Sequence, residues 1–147
     1  MNKRPILLVE DNPDDEELIL RSLRRNHVLN EIVITRDGEE ALDYLLAIGK
    51  FKGRDPGLMP QLVLLDLKLP KVGGLEVLER MRRETLTAMI PVVILTSSSE
   101  DEDILNSYQL GANSYVRKPV EFQQFSEAVR QVSLYWLLIN ESPPVTK

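Results

Sequence analysis

The chain contains no cysteine. That excludes a disulfide framework, thiol catalysis and any metal site built on thiolates. Positive charge is in short supply: 18 Lys and Arg against 23 Asp and Glu leave a net charge of -5. A general nucleic-acid-binding surface is therefore not expected. Long apolar runs are missing too. None approaches the roughly 20 residues that a membrane span needs, so no membrane partner is expected. The opening MNKRPILLVEDN has a basic tip but neither an adequate apolar centre nor a small-residue cleavage site, and does not read as a signal peptide. These features together fit a cytoplasmic protein. Histidine occurs once, as His27 among Arg24, Arg25 and Asn26. It reads as a surface residue suited to a helix C-terminus. There is no internal repeat and no low-complexity tract.

What is present is an alternation. Apolar runs of four to six residues are separated by segments with helical spacing. Ile6 to Val9, Glu31 to Thr35, Gln61 to Asp66, Ile90 to Leu95 and Ser114 to Arg117 read as five strands. Asn12 and Pro13 open a first helix ending near Asn26, with Asp14, Asp15, Glu16 and Glu17 placed where the helix dipole favours anions. Leu18, Ile19 and Leu23 form its inner face. Asp37 and Glu40 make a capping-box-like start to a second helix, carrying Ala41, Leu42, Leu45 and Ile48 and stopped by Gly49. An extended loop, GKFKGRDPGLMP, precedes the third strand. Leu75, Val77, Leu78 and Met81 mark a third helix that ends in Arg82 and Arg83. Ser99 and Glu102 predict a capping box for a fourth, with Ile104, Leu105 and Tyr108 inside and Gly111 closing it. Phe122, Phe125, Val129, Val132, Trp136 and Ile139 predict one continuous stripe on a fifth helix. The tail ESPPVTK is expected to fray. Strands alternating with helices imply right-handed crossovers and a doubly wound α/β parallel sheet covered on both faces, in strand order 2-1-3-4-5, forming a single domain over residues 1–147.

In such a sheet ligands bind beyond the carboxyl ends of the strands, at the switch between strands 1 and 3. Strand 1 ends in Glu10-Asp11 and strand 3 in Asp66. Asp66 alone reads equally as a cap for the next helix or as a chemical group. Pro70 stops the strand, and Gly73-Gly74 permits a turn. Three carboxylates brought together raise one another's pKa or require a cation. Mg²⁺ suits a site with few carboxylates that keeps water and phosphate oxygens in its shell. Strand 4 ends in the hydroxyl of Thr96 and strand 5 in the cation of Lys118. Each has an ordinary structural reading alone. Together they describe a place for a phosphoryl group on Asp66, which is held by the metal, Thr96 and Lys118.

The acidic pair Glu10-Asp11, the stretch DLKLPKVGG around Asp66, Thr96 and Lys118-Pro119 follow one another at successive strand ends. In this order the chain resembles a response-regulator receiver domain of two-component signalling over residues 5 to 139. The resemblance implies a flavodoxin-like (βα)5 fold and a signalling protein rather than an enzyme. It implies that Asp66 accepts phosphate from the phosphohistidine of a sensor histidine kinase. It implies Mg²⁺ held by Asp11, Asp66 and the Lys68 backbone carbonyl, with Glu10 acting through water, and a cis Lys118-Pro119 bond. Thr96 and the aromatic Tyr115 would form the switch, Tyr115 equally being readable as a half-buried strand residue. The small Ser97 leaves space at the phosphorylated aspartate. Gly73 departs from the family, where many members carry an acidic residue. It leaves the phosphoacceptor intact and loosens the following turn.

No output domain is expected after helix 5, which makes the chain a stand-alone receiver whose output is an interaction. Ser133 to Ile139 (SLYWLLI) is apolar nearly all the way round. Leu134, Tyr135, Leu137 and Leu138 either tuck under neighbouring loops or form a contact surface. A homodimer through helix 5, including Trp136, is the expectation. The extended loop and this helix end are similar to single-domain regulators associated with bacterial and cyanobacterial phytochromes, which implies a phytochrome-like photoreceptor kinase as donor. Three alternatives remain. A flavodoxin-like cofactor binder needs a glycine- or hydroxyl-rich first loop, where this chain has EDNPDD. A haloacid-dehalogenase-type phosphatase needs a second Asp where Lys68 stands. A degenerate receiver acting as a phosphorylation-independent adaptor is opposed by the intact set Glu10, Asp11, Asp66, Thr96 and Lys118.

Overall fold

The computed structural model describes residues 4–119 and 121–144. Five parallel strands form one sheet: β1 (Ile6–Val9), β2 (Ile32–Thr35), β3 (Leu62–Leu65), β4 (Val92–Thr96) and β5 (Ser114–Arg117). Their order is β2-β1-β3-β4-β5, the predicted one. Between them run α1 (Pro13–Arg25), α2 (Gly38–Leu46), α3 (Gly74–Arg83) and α4 (Asp101–Gln109), and α5 (Phe122–Ser133) follows.

Strand alternation divides the core in two. Leu7, Val9, Val63, Leu65, Val92 and Ile94 point to one face, where they meet Leu45 of α2 and Val77, Leu78 and Met81 of α3. Ile6, Leu8, Leu64, Val93 and Leu95 point to the other and pack on Ile19 and Leu23 of α1 and Phe125 and Val129 of α5. Central strands buried on both faces need apolar residues at every position, which is why β1 and β3 read as unbroken runs.

Several local expectations are corrected. α2 stops at Leu46, before Gly49, because Ala47 takes the left-handed conformation at φ 56° and its amide returns to the Asp43 and Tyr44 carbonyls. The loop after it is more ordered than its composition implies. Gly49–Phe51 form a 3-10 turn. Arg54 then donates to the carbonyls of Tyr44, Leu45, Asp55 and Leu58, tying the loop to the end of α2. Arg82 is likewise more than a terminal charge. It donates to the carbonyls of Ala88, Ile90 and Gly111 and to Asn113 Oδ1, which joins α3 to the segments on both sides of β4.

The Ser99 capping box does not form. α4 begins after Glu100 without a side-chain cap. Ser98 takes that part instead, accepting from the Glu100 amide at 3.3 Å and donating to Asp103 Oδ2 at 2.6 Å. Leu105 and Tyr108 are exposed, Ile104 is half-buried and the buried residue of α4 is Ser107. Ser107 is accommodated there because its hydroxyl donates to the Asp103 carbonyl at 2.7 Å.

α5 follows the predicted stripe as far as Ser133 and then widens into a π-helical segment, Leu134–Ile139. The Asn140 amide closes it on the Tyr135 carbonyl, five residues back. The wider turn breaks the 3.6-residue period. Trp136 and Leu137 still pack on the α1/α5 core. Ile139, expected on the same stripe, is 61% exposed. The expected fraying of the tail lies partly outside the described residues.

Candidate functional site: an acidic cluster around Lys118

The sheet's ladder continues one residue past β1 and β3, and on past β5, and fixes the residues of interest. The Glu10 amide donates to Thr35 O at 3.0 Å, the Asp66 amide to Val9 O at 3.1 Å and the Lys118 amide to Thr96 O at 2.7 Å. Continuing the two-residue alternation, Glu10, Asp66 and Lys118 fall on the α1/α5 side of the sheet edge. Thr96 and Tyr115 fall on the other.

The first three meet directly. The Lys118 ammonium is buried and donates to Glu10 Oε1 at 2.6 Å, Asp15 Oδ2 at 2.9 Å and Asp66 Oδ2 at 3.1 Å. All three of its donors are thereby used. Burial by itself would lower its pKa. The Glu10 hydrogen bond, the Asp66 and Glu10 charges and the Asp15 hydrogen bond outweigh that and hold it above the ordinary lysine value. Glu10 is almost wholly buried, and burial pushes its carboxyl up to about 7, against the opposing pull of Lys118. Its second oxygen accepts from the Asn12 amide at 3.2 Å. Asp66 is oriented from behind: its Oδ1 accepts from the amides of Leu67 at 2.7 Å and Lys68 at 3.4 Å. Gly74 makes this approach possible, since a Cβ there would lie 2.7 Å from Leu67 Cα and collide with the Asp66 carbonyl. Gly73 is not under that constraint. It sits at the helix N-cap in extended backbone with no side-chain cap.

Glu10, Asp11 and Asp66 each offer a carboxylate oxygen, all within 4.8 Å of one another. A hard divalent cation fits this donor set, because it is built of carboxylate oxygens gathered beside a single lysine. The set is the one expected from strand ends.

Thr96 and Tyr115 are brought together through an intermediary, Ser98. Thr96 is fully buried, and its Oγ1 accepts from the Ser98 amide at 3.5 Å. The half-buried Tyr115 hydroxyl donates to the Ser98 carbonyl at 3.0 Å. Among the described residues neither side chain bonds to the side chains of Glu10, Asp66 or Lys118. Asp15 escapes a reading by sequence, because its place in the first turn of α1 already has an explanation in the helix dipole. The cis expectation is corrected: among the described residues there is no cis peptide, so Lys118-Pro119 is trans. Trans is the favoured form of an X–Pro bond unless surrounding contacts select the other.

The sequence and the fold both have counterparts among known proteins. The chain is 44% identical over 138 residues to the probable methanogenesis regulatory protein FilR2 of Methanothrix harundinacea, covering 94% of this chain and 86% of that protein. It is 36% identical over 132 residues to response regulator Rcp1 of Synechocystis, covering 90% of this chain and 88% of Rcp1, whose Mn(2+)-bound crystal form superposes with a TM-score of 0.88 over 96% of this chain and 99% of that one. The phosphorylated cyanobacterial phytochrome response regulator RcpA superposes with a TM-score of 0.90 at 37% identity, covering 97% of this chain and 100% of that one. The bacteriophytochrome response regulator AtBRR reaches 53% identity with a TM-score of 0.77, covering 96% of this chain and 100% of that one. The family model described as response regulator receiver domain matches residues 6–130, and the chain belongs to that family.

Proposed function

We propose that this chain is a phosphoacceptor that takes a phosphoryl group from a sensor histidine kinase onto Asp66. The observation that carries the reading is the position of Asp66: buried, held by two backbone amides on one oxygen and by Lys118 on the other, beside the acidic pair from β1. The Asp66 carboxylate attacks phosphorus, a P–O bond forms, the P–N bond of phosphohistidine breaks and its electron pair stays on the imidazole nitrogen. Lys118 pairs with a phosphoryl oxygen and Thr96 donates to another. Asp11, Asp66 and the Lys68 carbonyl would hold Mg²⁺, with Glu10 acting through water. When bound, the ion neutralises the carboxylates and draws negative charge from the transferring group. The Mn(2+)-bound Rcp1 and phosphorylated RcpA relatives support both halves of this reading.

Tyr115 and Thr96 are the switch pair. A phosphoryl oxygen that recruits the Thr96 hydroxyl also moves the Ser98 amide bonded to it, and with it the carbonyl that holds Tyr115. The relatives named for phytochromes support a phytochrome-like photoreceptor kinase as donor. Output passes through a protein surface. Leu134, Tyr135, Leu138 and Ile139 stand exposed on the π-helical end of α5, beside a groove of about 580 Å³ that Leu29 and Leu134 help to line. This apolar end, braced by Trp136, supports a homodimer through α5.

The test is intact mass after incubation with acetyl phosphate and Mg²⁺. Wild type gains one labile phosphoryl group and Asp66→Asn gains none. An unmodified wild type, or an adduct that persists in the variant, would overturn the assignment.

A further inference from the structure

Three carboxylates surround the Lys118 ammonium, and they do not arrive from the same direction. Glu10 and Asp66 come from the sheet edge. Asp15 comes from the first turn of α1, which packs over the sheet. That first turn is itself held. The Asn12 side chain accepts from the amides of Asp14 at 2.9 Å and Asp15 at 3.1 Å, and the Asn12 amide donates to Glu10 Oε2. Asn12 therefore locks the backbone that carries Asp15 to the residue on Lys118's other side.

The three acceptors also differ in what else claims them. Glu10 and Asp66 belong to the group of carboxylates close enough to share a cation, together with Asp11, and Asp15 does not. Once a cation and a phosphoryl group engage Glu10 and Asp66, their oxygens are no longer free to hold the lysine. Of the three, Asp15 is the partner of Lys118 left with no competing claim. A lysine ammonium on a four-carbon stem has many rotamers, and transfer requires it at one place.

We propose that Asp15 is a positioning residue for phosphoryl transfer, tethering the Lys118 ammonium from α1 so that it faces the phosphoryl group arriving at Asp66. The assignment rests on the phosphoacceptor reading of Asp66. Asp15 touches no reacting atom and acts through Lys118.

Phosphorylation by acetyl phosphate at saturating Mg²⁺, followed by intact mass, reads this without a kinase. Asp15→Asn keeps the shape and removes the charge. Its limiting rate falls about tenfold, the scale expected when a reacting cation is misplaced. Asp14→Asn removes the same charge from the same helix turn without touching Lys118, and its rate stays within about twofold of wild type. In a Lys118→Ala background Asp15→Asn produces no further loss, because the group it positions is gone. Asp15→Glu, which keeps a carboxylate within reach, retains most of the rate. The proposal is overturned if Asp15→Asn matches wild type, if Asp14→Asn is equally slow, if Asp15→Glu is as slow as Asp15→Asn, or if Asp15→Asn slows Lys118→Ala by the same factor as wild type. A wild type that takes up no phosphate would instead sink the phosphoacceptor reading itself.

Discussion

Glu10 is the residue on which the charge balance turns. Its carboxyl titrates at about 7 in the fold because burial disfavours the anion. An ordinary glutamate in the unfolded chain titrates near 4.3. Between those values the folded state binds a proton that the unfolded chain does not. In this window Glu10 adds stability as pH falls, and the contribution is lost as pH rises through 7. Metal binding has the opposite dependence, since the cation needs the anion. In a chelator, wild type should become more stable on acidification from about pH 7.5 to about pH 5.5, while its Mg²⁺ affinity, by calorimetry, should fall over the same range. Glu10→Gln should flatten the first dependence. At this scale the clustering of charge at the strand ends was legible in the sequence, because a charged residue closing an apolar strand is conspicuous. Asp66 and Glu10 have that signature, whereas Lys118 follows the polar Ser114–Arg117 strand and stood out only beside them. Asp15 and Ser98 do not. One lies among four consecutive acids and the other among four consecutive hydroxyl residues, and only their neighbours in space distinguish them.

Helices and strands were legible to different degrees. The central strands followed from apolar runs buried on both faces, and the order from the alternation of strands with helices. The starts of α1 and α2 followed from Asn12 and Asp37, whose side chains do cap their helices. The ends were harder. Ala47 adopts a left-handed conformation that a glycine would take without steric cost, so Gly49 was the natural but wrong place to stop α2. Ala47→Gly should stabilise the protein by about 1 kcal/mol, read as a raised urea midpoint with an unchanged slope. Arg82 is the contrary case. Two basic residues at a helix end are ordinary, and nothing in the sequence announces five acceptors around one guanidinium. Arg82→Ala should lower stability by roughly 2–3 kcal/mol, because several partly buried carbonyls lose their donor together. The π-helical segment was not legible at all. A period of 3.6 residues extrapolated from Phe122 has no means of anticipating one wider turn.

For the whole molecule, the apolar end of α5 makes a prediction about assembly. Leu134, Tyr135, Leu138 and Ile139 are exposed together there, and a second copy of the chain would cover them. Sedimentation should show a dimer, and Leu138→Glu, at a side chain 77% exposed, should shift it to monomer while leaving phosphate uptake by Asp66 unchanged. Monomeric wild type, with and without phosphate, would remove the dimer from the account.

Because every strand runs the same way and each helix returns antiparallel, the chain's reactive loops gather at one pole and α5 finishes at the other. A hybrid that grafts the last helix of a relative onto this body would inherit the donor's company while keeping its host's chemistry.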